Sequence, residues 1–232
     1  MSLTKFCSKD GIERIKQVTV PTGMLGNYVY CTDWSLYEEC PDIPVLYIDA
    51  HYDTVREKFE QLQFLDDNIC VGTGFDNRAS CYVLYKLIRK VLMNDIPLRT
   101  IVYCIFSNLE ESGMYAIKEW LQTRTEHDTE YFLVLDVTKH IPGNMGKGVY
   151  TFEGDPCEEF SEVPFQQPCP IRHPYPGNLL FTHASVIFAE GLDVSRMAIP
   201  VYAMHSKVSA VALSDIQALY EKVLKFVNFV SA

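Results

Sequence analysis

Acidic residues and histidines follow one apolar run after another in this chain, at spacings that could bind metal ions. They lie in the segments IDAHYDTV, GFDNR, SNLEESG, VLDVT and AMHSKVS. Imidazole and carboxylate groups are the ligands of catalytic zinc sites, which keep one position open for water. A further carboxylate beside such ions can act as a general base. The pattern therefore predicts hydrolysis assisted by two metal ions that share one carboxylate.

Each motif taken alone also has a structural explanation. His51 and Asp53 could be polar residues of a loop at a strand end, and Asp76 could cap a helix. The adjacent Glu110 and Glu111 could belong to a solvated face. These alternatives stay open for each motif by itself.

Two further residues complete the series. Asp136 ends the apolar run YFLVLD, where a carboxylate is costly unless it is paired, bound to metal or capping a turn. His205 follows the apolar run AIPVYAM, where a lone histidine is more often a hydrogen-bonded structural residue. Ligand-type residues nevertheless recur at every predicted strand end, and this joint pattern favours a metal site.

The elements that must position these residues alternate between strands and helices. Near-continuous apolar runs predict strands over PVLYIDAH, TIVYCIF, YFLVLDV and AIPVYAM. Apolar positions at helical spacing predict a helix after Asp76, and further helices are predicted over 113–121 and 183–189. A capping box at Ser214 predicts the start of a final helix. A stretch rich in Pro and acidic residues predicts a long loop over 155–176. The alternation predicts a three-layer α/β/α sandwich with a central mixed, mostly parallel sheet. Its site is expected at the carboxyl ends of the strands.

Composition excludes several classes of protein. A formal charge of −10 and a pI near 5.0 argue against a nucleic-acid partner. No apolar stretch reaches the roughly 20 residues of a membrane span, and no signal peptide is visible, so we expect a cytoplasmic protein with no membrane partner. The eight cysteines form no CxxC pair, which predicts reduced thiols and no thiolate zinc site.

The order HYD, FDNR, EESG, DVT and MHS resembles that of the co-catalytic di-zinc aminopeptidases. This group comprises the glutamyl aminopeptidase/endoglucanase-like family and the related bacterial leucyl aminopeptidases. The resemblance spans the chain from residue 25 to its final helix. It implies two divalent ions, zinc in the first place and cobalt or manganese as alternatives. It also implies these roles: His51, Asp76 and Asp136 hold one ion; Asp76, Glu111 and His205 hold the other; Glu110 is the general base; Asp53 orients His51.

One departure from the resemblance concerns the lid. The glutamyl type usually inserts a lid and oligomerisation domain between the histidine motif and the shared aspartate, whereas only residues 54–75 lie between them here. So short an interval predicts a single zinc-peptidase-like catalytic domain over 1–232 without a separate lid. We also expect a monomer or a small homo-oligomer.

The function implied is that of a metallo-aminopeptidase, which removes N-terminal residues from a peptide or small amide substrate. One alternative is a metal-dependent deacylase or amidohydrolase acting on small N-acyl compounds. Another is a non-catalytic relic of the fold, although no ligand or base is missing from the series.

Overall fold

The computed structural model of the chain describes residues 2–6, 10–32, 43–55, 62–93, 98, 100–139, 145–151 and 182–230. The loop predicted over 155–176 lies outside these residues.

The described residues form ten strands and six helices. The strands are β1 (Val20–Thr22), β2 (Asn27–Cys31), β3 (Val45–His51), β4 (Gln63–Phe64), β5 (Ile69–Gly72), β6 (Ile101–Ser107), β7 (Glu130–Lys139), β8 (Tyr150–Thr151), β9 (Val194–Tyr202) and β10 (Ser209–Ala212). The helices are α1 (Leu3–Phe6), α2 (Asp10–Val18), α3 (Phe75–Leu92), α4 (Tyr115–Thr123), α5 (His183–Ala189) and α6 (Leu213–Val230).

The strands build one mixed sheet whose centre is parallel. Its order is β1-β2-β6-β3-β7-β9-β10-β5-β4, and β8 pairs with β9. The pairs β6–β3, β3–β7 and β7–β9 are parallel, and the pairs on both sides of them are antiparallel. The carboxyl ends of four neighbouring strands therefore lie at the same edge, as the sequence predicts.

Helices cover both faces of this sheet. Leu46 and Ile48 of β3 pack in the core formed with α1, α2, α3 and α6. Val45 and Tyr47 face the other way and pack in the core formed with α4 and α5. Since side chains alternate along a strand, His51 shares the second face with Val45 and Tyr47. The predicted three-layer α/β/α sandwich is confirmed.

Further features of the fold concern the cysteines and the helices. The four described cysteines, Cys31, Cys70, Cys81 and Cys104, are buried, and no disulfide joins them. No helix among the described residues has the length and apolar character that a membrane span requires. The final helix begins at Leu213, so Ser214 lies inside it and does not precede it as a capping residue.

Candidate metal centre

All seven residues predicted to form the site lie together where the parallel strands end. His51 is the last residue of β3, and Asp136 lies on the neighbouring strand β7. The others are on loops or at a helix start: Asp53 after β3, Asp76 at the start of α3, Glu110 and Glu111 after β6, and His205 after β9. The structure thus brings the predicted set together, while the roles of its members stay predictions.

His51 is at the centre of the deeper part of the site and is almost fully buried. Its Nε2 lies 3.4 Å from Oδ1 of Asp76, 3.7 Å from Oδ1 of Asp136 and 3.9 Å from Oε2 of Glu110. These separations are longer than ordinary hydrogen bonds. One imidazole nitrogen therefore faces three carboxylate oxygens across a gap that a cation could occupy.

Asp76 connects this deep part to a more open one. While its Oδ1 faces His51, its Oδ2 lies 2.8 Å from Nε2 of His205. The same Nε2 of His205 is 3.8 Å from Oε2 of Glu111. Each oxygen of Asp76 thus faces a different histidine, which is the arrangement that a carboxylate shared by two ions requires.

Asp76 does not serve as the N-cap of α3. Gly74 is the N-cap of α3, in the left-handed conformation at φ 75°, and no side chain caps the helix by a hydrogen bond. Asp76 itself has non-helical dihedrals, φ −86° and ψ 103°. Its carboxylate is directed to the two histidines instead.

The donor atoms present fit divalent metal ions. Two groups each bring their ligand atoms within 4.8 Å of one another: His51, Asp76 and Asp136, and Asp76, Glu111 and His205. In the second group, Oε1 of Glu111 is buried and has no hydrogen-bond partner among the described residues. A buried carboxylate oxygen without a partner is costly, and a metal ion would supply one. The nitrogen and oxygen donors suit zinc, and also cobalt or manganese.

Asp53 supports the site in two ways, only one of which the sequence predicts. Nδ1 of His51 lies 3.2 Å from the backbone oxygen of Asp53 and 3.4 Å from its Oδ1, so Nε2 is left for the centre of the site. The two carboxylate oxygens of Asp53 also accept the backbone N–H groups of Glu110, at 3.2 Å, and Glu111, at 3.1 Å. One side chain therefore positions the histidine and both glutamates.

The two glutamates share an unusual electrostatic environment. Burial raises the pKa of Glu110 to about 7, and the negative charges of Asp136 and Asp76 add to this effect against the opposing influence of His51. Burial likewise raises the pKa of Glu111 to about 7, with Asp76 contributing. A carboxyl group with a pKa near neutrality can both accept and release a proton.

In His51 and Asp76, neighbouring charges favour the ionised form. Burial alone would lower the pKa of His51, but the carboxylates of Asp136, Asp53 and Asp76 outweigh it and raise this pKa well above the ordinary value. Burial would raise the pKa of Asp76, but the imidazoles of His205 and His51 hold it below the ordinary value. Asp76 is thus ionised, as a metal ligand must be.

The second ligand group opens to solvent. The side chain of His205 is 49% exposed, whereas that of His51 is only 4% exposed. A depression of about 310 Å³ lies over Asp76, Glu111 and His205, with Val55 and Phe75 in its lining. A substrate can therefore approach the site from the side of His205.

Sequence reasoning missed one charged residue of the site. Arg196 lies within the buried strand β9, and its Nη2 donates to Oδ2 of Asp136 at 2.7 Å. A signal existed, because an arginine inside the apolar run VSRMAIPVY needs a buried acidic partner.

A second polar cluster lies nearby. His183 is buried, and its Nδ1 lies 2.5 Å from Oδ2 of Asp49. Ser107 donates to the other oxygen of Asp49 at 2.6 Å. The rings of His183 and His51 have centroids 6.0 Å apart.

Comparison with known families confirms the resemblance of the sequence to the co-catalytic zinc aminopeptidases. The model of the M42 glutamyl aminopeptidase family matches residues 54–150, somewhat under half of the chain. A sequence comparison with curated proteins found no significant match.

Solved structures with a similar fold include several peptidases. A TET aminopeptidase from a marine sediment thaumarchaeon has a TM-score of 0.75 at 14% identity, covering 97% of this chain and 95% of its own. The TET1 peptidase of Pyrococcus horikoshii, which can assemble into a tetrahedron or a large octahedral shell, has a TM-score of 0.68 at 13% identity, covering 94% and 92%. A tripeptidase from Staphylococcus aureus has a TM-score of 0.67 at 11% identity, covering 99% and 96%. At such identities the likeness establishes the fold.

Proposed function

We propose, from the family resemblance and the site geometry, that this chain is a metal-dependent aminopeptidase. The observation that carries the proposal is the position of Asp76 between His51 and His205, with the carboxylate of Glu110 close to His51. Few functions other than a co-catalytic metal centre explain a buried carboxylate that faces two separate ligand groups.

The proposal assigns ligands to two ions, with zinc as the first choice. His51, Asp76 and Asp136 would hold one, and Asp76, Glu111 and His205 the other. Bound divalent ions would supply a Lewis acid for the scissile carbonyl and a lowered pKa for the attacking water.

Glu110 is the general base in this proposal. Its Oε2 lies 3.9 Å from Nε2 of His51, and its burial raises the pKa of the carboxyl group, which makes the carboxylate a stronger base. The same carboxyl group can then give that proton to the leaving amine. Asp53 fixes Glu110 through its backbone N–H, so the base is held before substrate arrives.

Restriction to the N-terminus of a peptide would come from the open side of the site. The depression opens onto Asp76, Glu111 and His205, the ligands proposed for the more exposed ion. An ion held there would be a Lewis acid for the free amine at the start of a peptide, a group that an N-acylated substrate lacks. On this basis an aminopeptidase is favoured over a deacylase.

We also propose that the protein is cytoplasmic, that it has no separate lid and that it acts as a monomer or small homo-oligomer. The absence of a lid is supported by the short interval between His51 and Asp76, in which residues 63–72 form the β4–β5 hairpin. Light scattering tests the proposed oligomeric state directly: a large shell, such as the one that the TET1 peptidase of Pyrococcus horikoshii can form, would overturn it.

A substrate panel tests the function. The protein, purified without chelator, is incubated with aminoacyl-anilides and, separately, with N-acyl amino acids. We expect hydrolysis of the anilides that stops when a chelator is added and returns with zinc. Hydrolysis of the N-acyl compounds alone would identify a deacylase, and no metal-dependent hydrolysis of either class would contradict the proposal.

A further inference from the structure

Arg196 is a cation in an otherwise apolar setting. It lies on β9, where the flanking Met197, Ala198 and Ile199 are fully or almost fully buried, and it is itself only 9% exposed. The register pairs Val134 with Arg196 and Asp136 with Ala198, so the arginine reaches diagonally across two parallel strands. Burying a guanidinium is unfavourable unless it is paired and hydrogen-bonded, so the contacts that Arg196 makes are specific.

The two carboxylate oxygens of Asp136 accept hydrogen bonds from different donors, Arg196 and the backbone of Val137. Nη2 of Arg196 donates to Oδ2 of Asp136 at 2.7 Å and to the backbone oxygen of Val137 at 3.1 Å. The other oxygen, Oδ1, accepts the backbone N–H of Val137 at 2.8 Å and faces Nε2 of His51 at 3.7 Å. Only Oδ1 is therefore presented to the group of candidate metal ligands.

We propose that Arg196 is a positioning residue that holds Oδ2 of Asp136 and so makes this aspartate a one-oxygen ligand of the deeper metal ion. This inference rests on the proposed metal centre and extends it. Arginine keeps its charge at every accessible pH, so the contact persists under all working conditions. Replacing a group that orients a ligating carboxylate typically weakens metal binding by roughly 10–100-fold.

A charge effect accompanies the positioning. The guanidinium of Arg196 is a fixed positive charge 2.7 Å from Oδ2 of Asp136, so it favours the ionised carboxylate that a metal ligand must be. The more open group of Asp76, Glu111 and His205 has no such contact with Arg196, so we expect the arginine to act on one ion only.

The chain contains a matched control for the loss of a buried arginine. Arg124 pairs with Glu130 through Nη2 and Oε2 at 2.7 Å, and its side chain is 7% exposed compared with 10% for Arg196. Neither Arg124 nor Glu130 belongs to the candidate ligand groups. Variants at Arg124 therefore report what the loss of such an ion pair does to folding alone.

The test compares R196M with R124M by Co²⁺ titration, using calorimetry and visible absorption. We expect the unmodified protein to bind two Co²⁺ ions. In R196M, one of them should bind roughly 10–100-fold more weakly, the usual effect of losing a group that orients a ligand. Its absorption spectrum should also change, because the released Oδ2 alters the ligand set. R196K, which keeps the charge but not the guanidinium fork, should lose less affinity. R124M should keep both the affinities and the spectrum, although its Tm falls.

Other outcomes would overturn either the role of Arg196 or the metal centre as a whole. R196M with the affinities and spectrum of R124M would overturn the role of Arg196 while leaving the metal centre intact. If R196M does not fold, R196K and R124K make the same comparison with milder changes, and equal affinities for that pair would overturn the role. An unmodified protein that binds no Co²⁺ would overturn the metal centre and this inference together.

Discussion

Side chains from separate segments meet at this site, where the structure brings together His51, Asp76, Glu110, Asp136 and His205. Their order along the chain predicts a metal centre because each follows an apolar run, where an unpaired polar group would be costly. Partners from distant segments could not be predicted, because nothing in a local pattern pairs Arg196 with Asp136, or Asp53 with the backbone of Glu110 and Glu111.

The two adjacent glutamates should differ in their roles. Glu110→Gln keeps the size of the side chain and removes the base, so turnover should fall by roughly 10²–10⁴-fold while metal content persists. Glu111→Gln should instead weaken the binding of one metal ion, and the activity of this variant should partly recover with added zinc. Steady-state kinetics on an aminoacyl-anilide and metal analysis of both variants make the comparison. A fully active Glu110→Gln variant would show that the base is another group.

Asp53 should matter through the groups that it holds. Asp53→Asn replaces one acceptor oxygen with an NH₂ group, so one of the N–H groups of Glu110 and Glu111 loses its partner. We expect kcat/KM to fall by roughly 10–100-fold, as is usual for residues that support a metal site. Asp66→Asn is the control, since Asp66 also accepts two backbone N–H groups but lies on an exposed loop. Equal kinetic losses in the two variants would argue against a specific role for Asp53.

Secondary structure elements were predictable where their apolar patterns are long. The central strands and α3 follow from such patterns, whereas β10 was missed because Ser209–Ala212 is only four residues long and gives little periodicity. The start of α6 was placed at Ser214, but the helix begins at Leu213. Its first N–H groups bind Asn68, a residue that is remote in sequence: Leu213 donates to the backbone oxygen at 2.8 Å and Ser214 to Oδ1 at 2.9 Å.

Asn68 should therefore act as the cap of α6. Asn68→Ala removes the acceptor of the Ser214 N–H, and we expect the free energy of unfolding to fall by about 1 kcal/mol, as for other caps. Urea denaturation measures the change. Gln217→Ala, an exposed substitution in the same helix, should have a smaller effect. A loss for Asn68→Ala no larger than that for Gln217→Ala would contradict the capping role.

A second residue of α6 should make stability depend on pH. Asp215 is fully buried and accepts the backbone N–H groups of Gly146 and Gly148. Burial outweighs these bonds and raises its pKa from 3.8 to about 6. Between these values the folded state binds the extra proton, so this contribution to stability is full at acidic pH and is lost as pH rises through about 6.

The Asp215→Asn variant isolates this contribution. Relative to that variant, the unmodified protein should lose up to about 3 kcal/mol of unfolding free energy between pH 4 and 7, at about 1.4 kcal/mol per pKa unit. Denaturation of both proteins across this range gives the difference. A difference that is constant with pH, or that grows in favour of the unmodified protein, would refute the raised pKa.

At the scale of the whole molecule, the fold class was predictable but the order of the strands was not. Alternating strands and helices predict a layered α/β protein, and the sandwich bears this out. The antiparallel pairs at both sides of the sheet depend on contacts between segments far apart in sequence, such as β10 with β5, and these pairs have no local signal. That residues 1–232 form a single domain remains our proposal.

If Asp76 is shared by two metal ions, as we claim, the number of ions bound per chain should depend on its carboxylate. The unmodified protein and the Asp76→Asn variant are stripped with a chelator, dialysed against Zn²⁺ and analysed for bound metal, with folding checked by circular dichroism. We expect the unmodified protein to bind two ions per chain. Because the two oxygens of Asp76 face His51 and His205 separately, the folded variant should bind both ions more weakly. A folded variant that still holds two ions with unchanged affinity, or an unmodified protein that holds none, would contradict the claim.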